Sequence, residues 1–192
     1  MKLSLAIIAA ILVTGLAVLG FKLNSNNRNM AGSSSASVGS QLPSSSTVLD
    51  LSNKGLTTVT ADIYNKTDTS QLILSNNNIK TLPSQIGRMT NVVVFKIDHN
   101  KLDGSLVGEI RQMSRLKELD VSYNNMTGVP AEIGQLSNLT TLNYSYNNLT
   151  GLPNELGNLK NNLRQLNLTG NPLSQTTLSK LKSELPNTNI IF

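Results

Sequence analysis

The chain has 192 residues and a formal net charge of +5, which fits one domain with appended segments. Its Lys and Arg residues form no run and no patch mixed with aromatic residues, so we do not expect a nucleic-acid partner. Cysteine is absent, which excludes disulfides, zinc–thiolate sites and thiol catalysis.

An uncharged stretch of 19 residues, Leu3–Phe21, follows Lys2 at the start of the chain. As a helix it would span ~28 Å, enough for a bilayer core, so we predict a signal-anchor helix over residues 1–21. The alternative is a signal peptide with its apolar region at Leu3–Val13 and cleavage near Gly15-Leu16-Ala17. Gly in place of Ala at that cleavage pattern favours the uncleaved anchor. Positive charges flank the stretch on both sides, but its very short N-terminal flank favours an extracytoplasmic position for the rest of the chain.

Residues 22–45 are rich in Ser and Asn and contain few side chains that a core would bury. We therefore predict a disordered linker between the membrane segment and a folded domain at residues 46–192.

A repeated phrase, L-x-x-L-x-L-x-x-N-x-L, fills most of that domain. Six frames begin at Ser46, Thr69, Val92, Leu116, Leu139 and Leu163, at steps of 23 or 24 residues. Positions four and six alternate with polar residues, as in a half-buried strand, so positions three, five and seven are predicted to face outward. Tyr144 occupies an inward position six, and we predict a buried ring whose hydroxyl reaches a polar partner.

Asparagine holds position nine in five of the six frames. Its amide can satisfy buried backbone groups where the chain turns out of the strand, so we predict a structural ladder. The ladder consists of Asn77, Asn100, Asn124, Asn147 and Asn171.

The pattern changes after Leu173. Ser174 is a suitable N-cap for a helix that would continue to about Leu185, with Leu178 and Leu181 on one face. Asn189–Phe192 would add a last edge strand. We predict that the chain from about residue 174 is a C-terminal cap.

The frames resemble the leucine-rich repeat family over residues 46–192. The second halves Leu82-Pro83…Ile86-Gly87, Val129-Pro130…Ile133-Gly134 and Leu152-Pro153…Leu156-Gly157 resemble a subtype common in bacterial proteins and Ras-pathway scaffolds. The resemblance implies an α/β solenoid, an arc of six repeats with a parallel concave sheet. Since extracellular family members of animals and plants generally have disulfide caps, the lack of cysteine favours a bacterial or cytosolic protein. We expect a positive φ at Gly87, Gly134 and Gly157.

Outward strand positions hold the candidate partner-binding residues, because parallel strands align equivalent positions in rows. Two are apolar where water is expected, and His99, Tyr123 and Tyr146 would form a run of rings along one margin. The full set is Ile73, Val94, Lys96, His99, Glu118, Asp120, Tyr123, Asn143 and Tyr146.

No catalytic, metal or cofactor site is expected. His99 is the sole histidine, and the sequence has no phosphate-binding glycine motif. We therefore predict a membrane-tethered, non-catalytic module that binds a protein or peptide. The alternatives are a secreted effector or adhesion protein after signal cleavage, an intracellular signalling scaffold, and a hydrolase that uses His99.

Overall fold

A computed structural model describes residues 47–192 of the protein. The predicted anchor over residues 1–21 and the linker over residues 22–45 lie outside the described residues. Within the described part, neither α-helix has the length and apolar composition that a bilayer crossing requires.

Seven short parallel strands form one sheet in the order β1, β2, β3, β5, β7, β8, β9. Equivalent frame positions pair directly, so that Leu72 lies opposite Phe95 and Phe95 opposite Leu119. The predicted parallel sheet is thereby confirmed. The strands are β1 (Val48–Asp50), β2 (Gln71–Ile73), β3 (Val94–Lys96), β5 (Glu118–Asp120), β7 (Thr141–Asn143), β8 (Gln165–Asn167) and β9 (Asn189–Ile191).

The return half of most frames is a 3-10 helix rather than a strand. These helices follow an extended N-cap residue such as Pro83, Pro130 or Pro153, where proline removes an N–H that no ladder needs. Their bounds are Ser84–Arg88, Gly108–Gln112, Ala131–Gln135 and Asn154–Leu159. A two-stranded parallel sheet joins two further segments, β4 (Asp103–Gly104) and β6 (Asn125–Met126).

Two α-helices complete the described elements, α1 (Ala61–Tyr64) and α2 (Gln175–Glu184). Helix α2 begins after Ser174, whose Oγ accepts a hydrogen bond from the Thr177 N–H at 3.1 Å. Leu178 and Leu181 are buried on its inner face, and β9 follows it at the edge of the large sheet.

The core lies between the sheet and the 3-10 helices and consists mainly of Leu, Ile, Met and Val. Phe95 and Tyr144 are its largest side chains, and both are fully buried. The expected partner for the Tyr144 hydroxyl is wrong, because among the described residues no group accepts from or donates to it. Burial raises the pKa of Tyr144, so this phenol stays neutral inside the core.

The position-nine asparagines connect successive coils through their amides. Asn124 Oδ1 accepts from the Leu102 N–H at 2.9 Å, and its Nδ2 donates to the carbonyls of Ile97, Val121 and Ser122. Asn77, Asn100, Asn147 and Asn171 make equivalent bonds. The turn thus leaves these buried backbone groups satisfied, which is the physical requirement behind the asparagine row.

A second amide row was not predicted. Asn91, Asn138 and Asn162 immediately precede their frames, and their Nδ2 atoms donate to the carbonyls of Thr67, Ser114 and Ser137 in the preceding coil. These bonds join neighbouring coils at the start of the strands, whereas the position-nine row joins them at the end.

The glycine prediction is wrong. Positive φ values occur at Gly55, Gly104 and Gly170, and not at Gly87, Gly134 or Gly157. A side chain at Gly87 would collide with the Glu109 carbonyl at 2.7 Å, and one at Gly134 with the Glu155 backbone. Glycine is needed at these two positions because adjacent coils approach closely there, not because of backbone handedness.

Candidate partner-binding surface

Positions three and five of the strands form a half-exposed surface, which we call the sheet face. Ile73 and Val94 lie on it in adjacent strands, and both are half-buried. Lys96 Nζ lies 3.0 Å from Glu118 Oε1 in the next strand. The hydrogen bond to the Glu118 carboxylate raises the pKa of Lys96, so this side chain stays charged to a higher pH than an ordinary lysine.

Hydrogen bonds within three neighbouring strand ends, those of β5, β7 and β8, fix the side chains at position five. Asp120 Oδ1 accepts from both the N–H and the Oγ of Ser122, and Asn143 Oδ1 does the same with Ser145. Asn167 repeats the pattern with Thr169. Because these carboxylate and amide groups already have fixed partners, the sheet face loses little side-chain entropy when a partner binds.

In three of the six frames, hydrogen bonding at position seven contradicts the prediction that this position faces outward. Ser75, Ser122 and Ser145 are buried, at 8%, 4% and 3% exposure. Their short side chains lie beneath neighbouring carboxylate or amide groups, since Ser75 Oγ donates to Asp98 of the next coil. The alternation of inward and outward residues along a strand could not predict that neighbouring side chains would bury these serines.

The sheet face carries a shallow polar depression of about 200 Å³. Residues from strands β5, β7 and β8 line it, among them Glu118, Asp120, Asn143 and Gln165. Asn143 Nδ2 donates to Asp120 Oδ2 at 3.0 Å across two of these strands. The depression therefore presents fixed acceptors and negative charge.

Beside the depression runs the aromatic row, which consists of His99, Tyr123 and Tyr146. The His99 and Tyr123 ring centroids lie 4.3 Å apart with planes 16° from parallel, and Tyr123 and Tyr146 lie 4.4 Å apart at 17°. These spacings are close to the ~4.8 Å between strands, so strand stacking itself aligns the rings. Tyr123 and Tyr146 are 45% and 47% exposed, which leaves their ring edges and hydroxyls at the surface. Partial removal from water, together with Tyr146, raises the pKa of Tyr123.

Position eight has a left-handed backbone in every frame, which the sequence did not reveal. His99, Tyr123 and Tyr146 have φ values of 52°, 52° and 53°. Asn53 and Asn76 adopt the same conformation in the first two coils, and Gly170 in the last. Asn, Gly and His adopt this region more readily than other residues, but Tyr seldom does, so the rings of Tyr123 and Tyr146 are held against a backbone preference.

Gly170 ends the aromatic row. A Cβ at this position would lie 2.8 Å from Tyr146 Cδ1, so the ring of Tyr146 rests directly on the glycine backbone. Both faces of Tyr123 and both faces of Tyr146 are thus covered, so these two residues present mainly their ring edges at the surface.

Among residues 47–192, the His99 ring bonds to an aspartate but to no nucleophile. Its Nδ1 lies 2.8 Å from Asp98 Oδ2, while Ser75 Oγ bonds to the other oxygen of the same carboxylate. A nucleophile would need its bond to the histidine, with the aspartate behind it. Within residues 47–192 no three His, Cys, Asp or Glu side chains are placed to hold a metal ion.

This architecture defines a leucine-rich repeat solenoid over the described residues. Residues 110–173 match the family model for the leucine rich repeat. A leucine-rich repeat protein of Leptospira interrogans is similar, with 33% identity, a TM-score of 0.68, and coverage of 71% of this chain and 34% of that one. The ectodomain of the Arabidopsis thaliana membrane receptor kinase GASSHO1/SCHENGEN3, solved in complex with CASPARIAN STRIP INTEGRITY FACTOR 2, is 30% identical with a TM-score of 0.61. It aligns with 75% of this chain over 18% of its own length.

Rat lumican is 30% identical over 135 residues, 68% of this chain and 39% of lumican. The chain thus spans well under half the length of the curated relatives that it matches.

Proposed function

We propose that the protein is a non-catalytic binding module that recognises a protein or peptide partner on the sheet face. The aromatic row carries this proposal. Tyr123 and Tyr146 are nearly half exposed, and their left-handed backbone conformation suits Asn or Gly better than Tyr. We therefore infer that the two rings contribute little to folding. Tyrosine is favoured at interfaces because it offers a large, rigid contact surface with a polar end.

Two further features support recognition rather than turnover. Asp120, Asn143 and Asn167 on the sheet face are fixed by hydrogen bonds before any partner arrives, which suits binding. A similar ectodomain, that of GASSHO1/SCHENGEN3, was solved in complex with a partner. By contrast, no nucleophile within residues 47–192 bonds to His99, and the polar depression is open to water.

Partner capture from native cells tests the proposal. Tagged full-length protein and a Tyr123→Ala/Tyr146→Ala variant are compared by quantitative mass spectrometry after crosslinking. The matched control is Asn125→Ala/Asn148→Ala, which changes two exposed polar residues away from the row. We expect the tyrosine variant alone to lose specific proteins. Equal capture by all three proteins would remove the aromatic row from the proposed site.

For the cellular location, we propose a single-pass membrane protein that is anchored through residues 3–21 with its repeats outside the cytoplasm. The support is the uncharged length of Leu3–Phe21 followed by a polar linker. Secretion after cleavage and an intracellular scaffold are the competing possibilities.

Two measurements separate these locations. Intact-mass analysis of the native protein should retain residues 1–17, whereas a mature chain that starts near residue 18 would indicate secretion. Protease added to whole cells should digest the repeat domain, whereas protection until lysis would indicate an intracellular scaffold.

A further inference from the structure

The charge of the sheet face differs in sign from that of the rest of the domain. Residues 47–192 contain 13 of the 16 Lys and Arg residues and all 11 Asp and Glu residues, a formal charge of +2. On the sheet face, at positions three and five, however, Asp50, Glu118 and Asp120 oppose Lys96 alone, a formal charge of −2. The remaining surface is correspondingly basic.

We propose that the partner segment is an extended peptide that places a Lys or Arg side chain in the depression and an apolar side chain against the aromatic row. This inference rests on the proposed function and names the chemistry of its partner. Charge complementarity is its basis, since complementary fields select partners and speed their association.

The geometry sets the spacing of the two partner side chains. Asp120 and Tyr123 are three residues apart at the end of one strand, so their Cα atoms are at most ~10 Å apart. In an extended peptide, side chains at i and i+2 point the same way and lie about 7 Å apart. A cation at one and an aliphatic or aromatic residue at the other can therefore reach the depression and the row together.

The two halves of the site select different groups. In the depression, Asp120 Oδ1 accepts from both the N–H and the Oγ of Ser122, and Oδ2 accepts from Asn143 Nδ2. Oδ2 therefore has one further lone pair for an incoming N–H, whereas Oδ1 has none. In the row, ring faces are covered by neighbouring rings or by Gly170, so an apolar side chain packs on ring edges rather than a cation on a ring face.

The probe is a fluorescein-labelled peptide of about twelve residues with two Arg-Ser-Leu units, measured by fluorescence anisotropy against the full-length protein in detergent. A peptide with citrulline in place of Arg keeps the shape and removes the charge. We expect the Arg peptide to bind at least tenfold more tightly than the citrulline peptide, and less tightly as salt increases. Equal affinity for both peptides would overturn the proposal.

Charge variants locate the binding. Glu118→Gln/Asp120→Asn removes two charges, and Asn143 and Asn167 show that an amide supports the same Ser or Thr bonds. Asp103→Asn/Glu155→Gln removes two charges from exposed positions outside the sheet face. We expect the first pair to weaken Arg-peptide binding at least tenfold and the second less than twofold. Equal weakening would mean general attraction to the protein and would contradict the site.

Capture of the native partner separates failure of this inference from failure of the proposed function. Loss of capture in both the carboxylate variant and the tyrosine variant supports the cationic segment. Loss only in the tyrosine variant overturns the cationic segment and leaves the binding module. No loss in either variant overturns both.

Discussion

Positions eight and nine are adjacent in the sequence, yet they form two rows with opposite properties. Asn124 is buried at 7% exposure, and its amide bonds to four backbone groups in two coils. Tyr123, one residue earlier, is 45% exposed and contacts chiefly other rings. The turn requires an amide at position nine, whereas at position eight it requires only a left-handed backbone. Position eight is therefore where the side chain can vary for function.

The largest effect on the free energy of unfolding should come from removing a side-chain amide of the position-nine row. Asn124→Ala leaves the Leu102 N–H and buried carbonyls without partners, which should lower the free energy of unfolding by about 3 kcal/mol. Urea unfolding followed by circular dichroism measures the change. Asn125→Ala, at an exposed neighbour, should stay within about 0.5 kcal/mol. A similar effect from both variants would contradict the structural role of the ladder.

Glycine substitutions separate the cost of a left-handed backbone from the cost of displacing a ring at the end of the aromatic row. Gly170 and Gly55 have φ values of 75° and 67°, but only at Gly170 would a Cβ meet a side chain. Gly55→Ala should cost about 1 kcal/mol from the left-handed conformation. Gly170→Ala should cost about 2 kcal/mol, since the Tyr146 ring must also move. Equal costs in thermal unfolding would mean that Tyr146 does not rest on Gly170.

In the core, a substitution at Tyr144 should have a smaller effect on the free energy of unfolding, and of opposite sign. Its buried hydroxyl has no partner among residues 47–192, so Tyr144→Phe should raise the free energy of unfolding by about 1 kcal/mol. Tyr123→Phe, which alters an exposed hydroxyl, is the control and should change little. Destabilisation by Tyr144→Phe would reveal a hydrogen bond at this hydroxyl.

The smallest effect concerns the ion pair on the sheet face. Because Glu118 raises the pKa of Lys96 in the folded state, the pair stabilises the protein below about pH 10. That stability should disappear as the pH rises through the raised pKa of Lys96. The pair is substantially exposed, so the contribution is less than about 1 kcal/mol. Lys96→Met should flatten this part of the stability–pH curve, and an unchanged curve would show that another group titrates.

The fold could be predicted because its physical requirements recur in sequence. Leu at positions four and six must face the core, and Asn at position nine must satisfy a turn, so both repeat every 23 or 24 residues. The second amide row escaped prediction because Asn precedes only three of the six frames. Arg115 stands before the fourth frame and bonds to Asn91 instead.

The candidate surface could be predicted only in part. Frame positions were sufficient to place His99, Tyr123 and Tyr146 in one row, but the left-handed backbone was hidden because Tyr seldom adopts it. Burial of Ser122 depends on Asp120 bonding to it, and the role of Gly134 depends on the Glu155 backbone of the next coil. These contacts depend on how particular side chains and adjacent coils meet, and the alternation of residues along a strand carries no information about them.

The most direct test is Tyr123→Asn/Tyr146→Asn, because Asn already occupies position eight in the first two coils and tolerates its backbone conformation. If the aromatic row serves recognition rather than folding, the free energy of unfolding should stay within about 1 kcal/mol of the original or rise. Capture of the native partner by the same variant should be lost. Loss of folding stability by several kcal/mol, or retention of capture at the original level, would contradict the account.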